Sequence, residues 1–449
     1  MKCKRVHFFG QPLSEQERGQ FPASIGKDFA RSYLGFTVIR PLPQHALGRS
    51  VLSVRLLKHS VPEGISERSF LTCATWYRTH LAGNELRLSG CPWMQQDAHV
   101  SACATAALWV ACYQLAHRFP YEFRRFSTAE ITDLANRISA PFGRAMPSAG
   151  LAPEQIVHAL GQMGFSPVLL QLANASEALR EIYHYVESGL PVILLLRNPD
   201  DQEDGHAVTV VGHTLLKSTL SADQVSPDSH AGLQRSGIMM SVASDFVPAF
   251  VVQDDMRGPF LTASLFDAPG PESAQDDVRE CFVLVQSSSG DATEYRLLGG
   301  IVPLPELVGL TGLDAELRAV LYMFKLYSSA DTPHFVVRTS LQKSNDLKSL
   351  WTNHRRRPED LGRHLKSHIL PRWVWVTEIA KYDEWQTGRL IRGFVIQDSS
   401  GLAAIEGFHD VVAFQLDNIL GLIDQQGGGR LIRVSNRPYP RLSRHQGRE

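Results

Sequence analysis

At 449 residues the chain is longer than one hydrophobic core usually serves, so two or three domains are expected. With 43% hydrophobic and 20% charged residues it is not a disordered chain, and 45 Lys+Arg against 46 Asp+Glu exclude a chain-wide field for steering nucleic acid or an anionic membrane. Six cysteines (Cys3, Cys73, Cys91, Cys103, Cys112, Cys281) without a CxxC pair signal neither a disulfide framework nor a zinc knuckle; with no secretion-type leader and no run of about 18 apolar residues, a soluble, cytoplasmic protein is expected.

In chain order, residues 30–58 and 76–90 alternate apolar and polar positions around turn residues, which predicts a β-rich N-terminal region over 1–88. Helices follow over 101–117, after Ser127 or Thr128 as N-cap with Glu130 nearby, over 150–165 with Pro153 in the first turn, and over 176–189 ending on a glycine suited to a C-cap. Between and after them lie short runs apolar on both faces, 167–172, 191–197, 206–213 and 249–254, which predict buried central strands. The polar stretch 216–246 reads as a long surface insertion, and 267–280 as another loop. Beyond about 296 a helix, a strand, a basic helical stretch at 360–368 and a hairpin predict a separate α+β domain, leaving 89–295 as a middle domain.

The chemistry-bearing candidate is Cys103, at the start of a small, apolar, helix-forming run. A helix N-terminus favours the thiolate, and a nearby imidazolium favours it further. His206 opens the string HAVTVVGH about a hundred residues later, and Asp254 and Asp255 end a later apolar run. Taken singly, each has a structural reading: a core cysteine, a satisfied histidine, an Asp-initiated turn before Gly258. Cys112 and His213 serve as comparisons, since helical and strand periodicity turn them away from Cys103 and His206.

Gln95-Gln96, Cys103, His206 and Asp254-Asp255 stand in an order that resembles the papain-like cysteine peptidases, nearest to bacterial peptidase domains that cut double-glycine leaders, as in bacteriocin processing. The strings HAVTVVGH and Asp255-Met-Arg-Gly258 are similar to that family's His-Ala-Val-x-x-Val-Gly segment and Asn/Asp-x-x-Gly turn, and the likeness spans roughly 90–265. It implies an α+β fold with a papain-like core, a helical lobe beside an antiparallel sheet. It implies Cys103 as nucleophile, His206 as acid and base, Asp255 or Asp254 as the imidazole's partner, and Gln95 or Gln96 as oxyanion donor.

His364 and His368 have i,i+4 spacing without a third ligand, so no metal is expected, and no phosphate-binding glycine motif implies a cofactor. The basic run 354–366 is interrupted by Glu359 and Asp360, and nucleic acid is not an expected partner. The leading expectation is a cysteine hydrolase acting on a peptide or isopeptide bond of a protein or peptide substrate, with the C-terminal domain as a place for a protein partner. An acyl transferase of transglutaminase type with the same triad, and an inactive interaction module, are the alternatives.

Overall fold

The computed structural model describes residues 2–21, 23–42, 44–59, 68–96, 103–138, 151–200, 205–215, 239–269, 279–326, 334–352, 358–387, 390–400, 410–424, 426–435 and 439–440. The chain begins with β1 (Lys4–Phe9), α1 (Glu15–Gln20), α2 (Lys27–Arg31), β2 (Tyr33–Ile39), β3 (Leu47–Ser53), β4 (Arg68–Phe70), β5 (Thr75–Leu81) and β6 (Asn84–Trp93). Next come α3 (Cys103–Arg118), α4 (Thr128–Ala135), α5 (Pro153–Gln162), β7 (Ser166–Leu170), α6 (Ala175–Glu187), β8 (Val192–Arg197) and β9 (Gly205–Leu215). The strands β10 (Met239–Val242), β11 (Phe250–Asp254), β12 (Gly258–Pro269), β13 (Arg279–Gln286) and β14 (Ala292–Leu304) complete the middle. The remainder is α7 (Gly312–Leu326), β15 (His334–Lys343), α8 (Ser344–Thr352), α9 (Glu359–Ser367), β16 (Trp373–Lys381), α10 (Tyr382–Thr387), β17 (Leu390–Ile391), β18 (Gly393–Asp398), β19 (Val411–Leu416), β20 (Ile419–Ile423), β21 (Gly429–Arg433) and β22 (Tyr439–Pro440).

Helix and strand are mixed as the α+β class requires, and among the described residues β10 with β15 is the one parallel pair. The N-terminal sheet has the order β1-β2-β3-β6-β5. In the central sheet β11-β12-β13-β14-β8-β9 close on themselves, because β9 pairs with β11 as well as with β8; β4 and β7 attach to β9 and β14. Closure buries both faces of β8 and nearly all of β9, which is why these strands read as unbroken apolar runs. The C-terminal sheet runs β10-β15-β16-β18-β19-β20-β21.

Both expected domain boundaries fall inside strands: β6 runs through 88/89 and β14 through 295/296. The regions also share cores. Trp373, Trp375 and Leu341 of the C-terminal part pack in one cluster with α3 and the central strands, and Leu341 N donates to Ser188 Oγ at 2.7 Å. A buried charge chain joins them: His213 Nε2 donates to Glu187 Oε2 (2.9 Å), Arg338 Nη1 to Glu187 Oε1 (2.6 Å) and Arg338 Nε to Glu378 Oε2 (2.8 Å). The expected surface insertion is likewise corrected. Residues 216–238 lie outside the described residues, but Met240, Val242, Ala243 and Phe246 are buried, because β10 extends the C-terminal sheet along β15.

Local chemistry sets the helix ends. Ser127 Oγ accepts from Glu130 N while the Glu130 carboxylate accepts from Ser127 N, a reciprocal capping box. After α6, Gly189 takes φ +76°, and the bonds Gly189 N to Val186 O and Leu190 N to Tyr185 O close a Schellman turn. Among the described residues no helix is long and apolar enough to cross a membrane.

Candidate active site

α3 is apolar all round, and only Tyr113, His117 and Arg118 of its residues are less than fully buried, which marks a core helix rather than a surface one. Its many alanines let it lie close against β9, where Thr209 Oγ1 donates to Ala107 O at 3.0 Å. That bond is one helical turn beyond Cys103 and three residues beyond His206, so it fixes the helix start beside the strand start. Cys103 and His206 meet there: the thiol is within hydrogen-bonding reach of the imidazole and also donates to Gly205 O at 3.8 Å.

The imidazole's other side is held by Asp254, with His206 Nε2 to Oδ2 at 3.1 Å. Antiparallel register explains the meeting, since β9 and β11 pair Thr209 with Gln253, putting the end of β11 beside the start of β9. Asp254 also starts the turn into β12: its Oδ1 accepts from Met256 N (2.8 Å) and Arg257 N (3.0 Å), and Gly258 completes the turn at φ +136°. Its carbonyl accepts from Trp93 Nε1 at 2.7 Å. The turn reading and the orienting reading of this aspartate are therefore both true, and the carboxylate is fixed from three directions.

Burial alone would push the His206 pKa down, but hydrogen bonds to Asp254 and Cys103, with their charges, outweigh it and lift the value to about 10. Burial would raise Asp254, yet the His206 bond and charge and the two turn N–H groups hold it below the usual carboxylate range. Asp255 is different. It is 4% exposed, neither carboxylate oxygen has a direct hydrogen-bond partner, and burial followed by the Asp254 charge raises it to about 7 against the pull of His206. Among the described residues, the one group of three able to share a metal ion is His206, Asp254 and Asp255, with one ligand atom from each within 4.8 Å of the others.

Of the sequence-predicted residues, His206 is hydrogen-bonded to Asp254 and has the Cys103 thiol beside it, while Asp255 stands next to them without bonding the imidazole. Gln95 is engaged by the N-terminal sheet, its N donating to Leu47 O (3.1 Å) and its Oε1 accepting from Leu47 N (3.2 Å). The Gln96 carbonyl accepts from Arg40 Nη2 at 3.3 Å. Cys112 and His213 stay apart, the former pushed up by burial in the α3 core and the latter bonded to Glu187. His364 donates to Val412 O at 3.1 Å. Three contributors were not foreseen: Trp93, Thr209, and Tyr295, whose ring centre lies 5.5 Å from that of His206. Thr209 had a visible signal, a hydroxyl within an apolar run. No protein-family model matches the chain, and no curated protein matches it in sequence.

Proposed function

We propose that the protein is a papain-like cysteine hydrolase that cleaves a peptide or isopeptide bond through Cys103, His206 and Asp254. The observation that supports this most is the line thiol, imidazole, carboxylate, with Cys103 and His206 9% and 8% exposed while Asp254 is fully enclosed behind them. A thiol at the edge of the interior with its base fixed from the rear is the arrangement nucleophilic catalysis needs.

In this reading the Cys103 thiolate forms a bond to the substrate's acyl carbon, and the carbonyl's π electrons move onto oxygen. The oxyanion then reforms the carbonyl, the C–N bond breaks, and the leaving amine takes a proton from the His206 imidazolium. Water attacks the resulting thioester, giving its proton back to His206, and the acid and the thiolate are released. Asp254 keeps the imidazole oriented and stabilises its charged form. We assign the oxyanion donor to Gln96, together with the Cys103 N–H, because its spacing of seven residues before Cys103 is nearer than that of Gln95 to the six usual in papain-like peptidases. The test is a terminal-peptide profile of a native lysate treated with wild type and with Cys103→Ala. New termini found only with wild type support the reading, and identical profiles across all doses would sink it.

A further inference from the structure

The N-terminal sheet has two outer strands, β1 and β5, and it curls until they approach: Arg5 Nη1 on β1 donates to Thr79 Oγ1 on β5 at 3.4 Å. Among the described residues β5 pairs with β6 alone, so its other edge presents main-chain donors and acceptors to no neighbouring strand. Along that edge lies a cavity of about 560 Å³, lined by the consecutive residues 76–80 and walled by Tyr113 and His117 of α3. Its charge has one sign. Arg5, Arg78 and Arg125 line it, no carboxylate does, and none of the three arginines forms an ion pair among the described residues. Trp76, 61% exposed, stands at its side.

We propose that this groove is an exosite that takes an extended acidic peptide as an added strand on β5. Its use in substrate selection rests on the peptidase reading, while the binding itself does not. A long open edge is normally protected against self-pairing, and here the guanidiniums do that, since a second copy would set arginine against arginine. The same charges attract carboxylates projecting from every second residue of an incoming strand, and main-chain bonds along the edge supply affinity without sequence demands. A mononucleotide could use Trp76 and the arginines but would leave the strand edge unused. Tyr113 and His117 lie roughly 15 to 21 Å from Cys103 along the helix, at about 1.5 Å per residue. At about 3.3 Å per extended residue, the acidic segment would sit some five or more residues from the bond cleaved.

The experiment uses full-length Cys103→Ala protein, which cannot turn over, and a fluorescein-labelled peptide of about a dozen residues alternating Glu and Val. Fluorescence anisotropy should show saturable binding that weakens with salt. Binding should fall by about tenfold or more for the exposed-site variant Arg78→Glu/Arg125→Glu, and likewise for a peptide N-methylated at alternate amides. No binding of the Glu peptide, equal binding of a Lys-for-Glu peptide, indifference to either change, or displacement by AMP would each overturn the proposal. Binding by a protein whose Cys103 is unreactive in the wild type would sink the peptidase reading alone.

Discussion

Asp254→Asn isolates what the carboxylate does for His206, because the substitution keeps the turn. The two N–H groups of Met256 and Arg257 already occupy Oδ1, so the introduced amide keeps its oxygen there and turns its NH₂ toward His206 Nε2. An N–H facing that nitrogen favours the neutral ring with its proton on the Cys103 side and disfavours the imidazolium. The difference between about 10 and the usual 6.5 corresponds to on the order of 5 kcal/mol at about 1.36 kcal/mol per unit, shared between Asp254 and Cys103. Burial remains after the change, so the ring should fall below its ordinary value. The stability sign follows: with a folded value above the unfolded one, the His206 contribution is full below about pH 6.5 and is lost as pH rises through about 10. Imidazole ¹⁵N NMR, assigned with His206→Gln, should show a protonated ring at pH 8 in wild type and a neutral one in Asp254→Asn. Turnover should drop by about 10⁴, as expected when the tautomer is wrong. A ring still protonated at pH 8 in this variant, or one neutralised by Asp255→Asn instead, would refute the reasoning.

Asp255 has the opposite linkage to an ordinary carboxylate. Its folded value near 7 exceeds the usual 3.8, so its favourable contribution is complete below about pH 4 and is lost as pH rises through about 7, by at most about 4 kcal/mol. Denaturant unfolding should show that loss in wild type and a flatter profile in Asp255→Asn. Gln96→Ala should lower kcat by about 10² to 10³ with little change in stability, whereas Gln95→Ala should mainly reduce stability; the reverse pattern would move the oxyanion role to Gln95. Arg338→Leu leaves Glu187 and Glu378 buried without their cation and should cost about 3 to 5 kcal/mol in urea unfolding. Gly189→Ala must hold φ near +76° and displace the Arg118 guanidinium, which a built Cβ would meet at 1.9 Å, so a loss of about 1 to 2 kcal/mol or more is expected by the same measurement.

The parts legible in the sequence were those whose causes are local. Ser127 with Glu130, Pro153 at a helix start and Gly189 at a helix end each act within a turn, and the apolar strands follow from enclosure on both faces. The order Cys103, His206, Asp254 was legible as well, but the choice of aspartate was not. Asp254 and Asp255 are adjacent, and the choice depends on the β9–β11 register and on which side chain the turn N–H groups capture. The expected boundaries fall inside strands for a non-local reason: residues just past each cut pair back with strands before it, Gly90–Trp93 of β6 with Ser50–Ser53 of β3, and Arg296–Leu304 of β14 with β8 and β7. Residues 239–242 form a strand because β15 offers an edge, not because Met-Met-Ser-Val demands one.

The most direct test of the central claim is the alkylation rate of individual cysteines with iodoacetamide across pH 5 to 9, read by mass spectrometry in wild type and His206→Ala. The account predicts that Cys103 reacts at least about a hundredfold faster than Cys112 near pH 6 and that the advantage disappears in the variant. Equal rates for the two thiols in folded wild-type protein, or an advantage that survives removal of the imidazole, would contradict it.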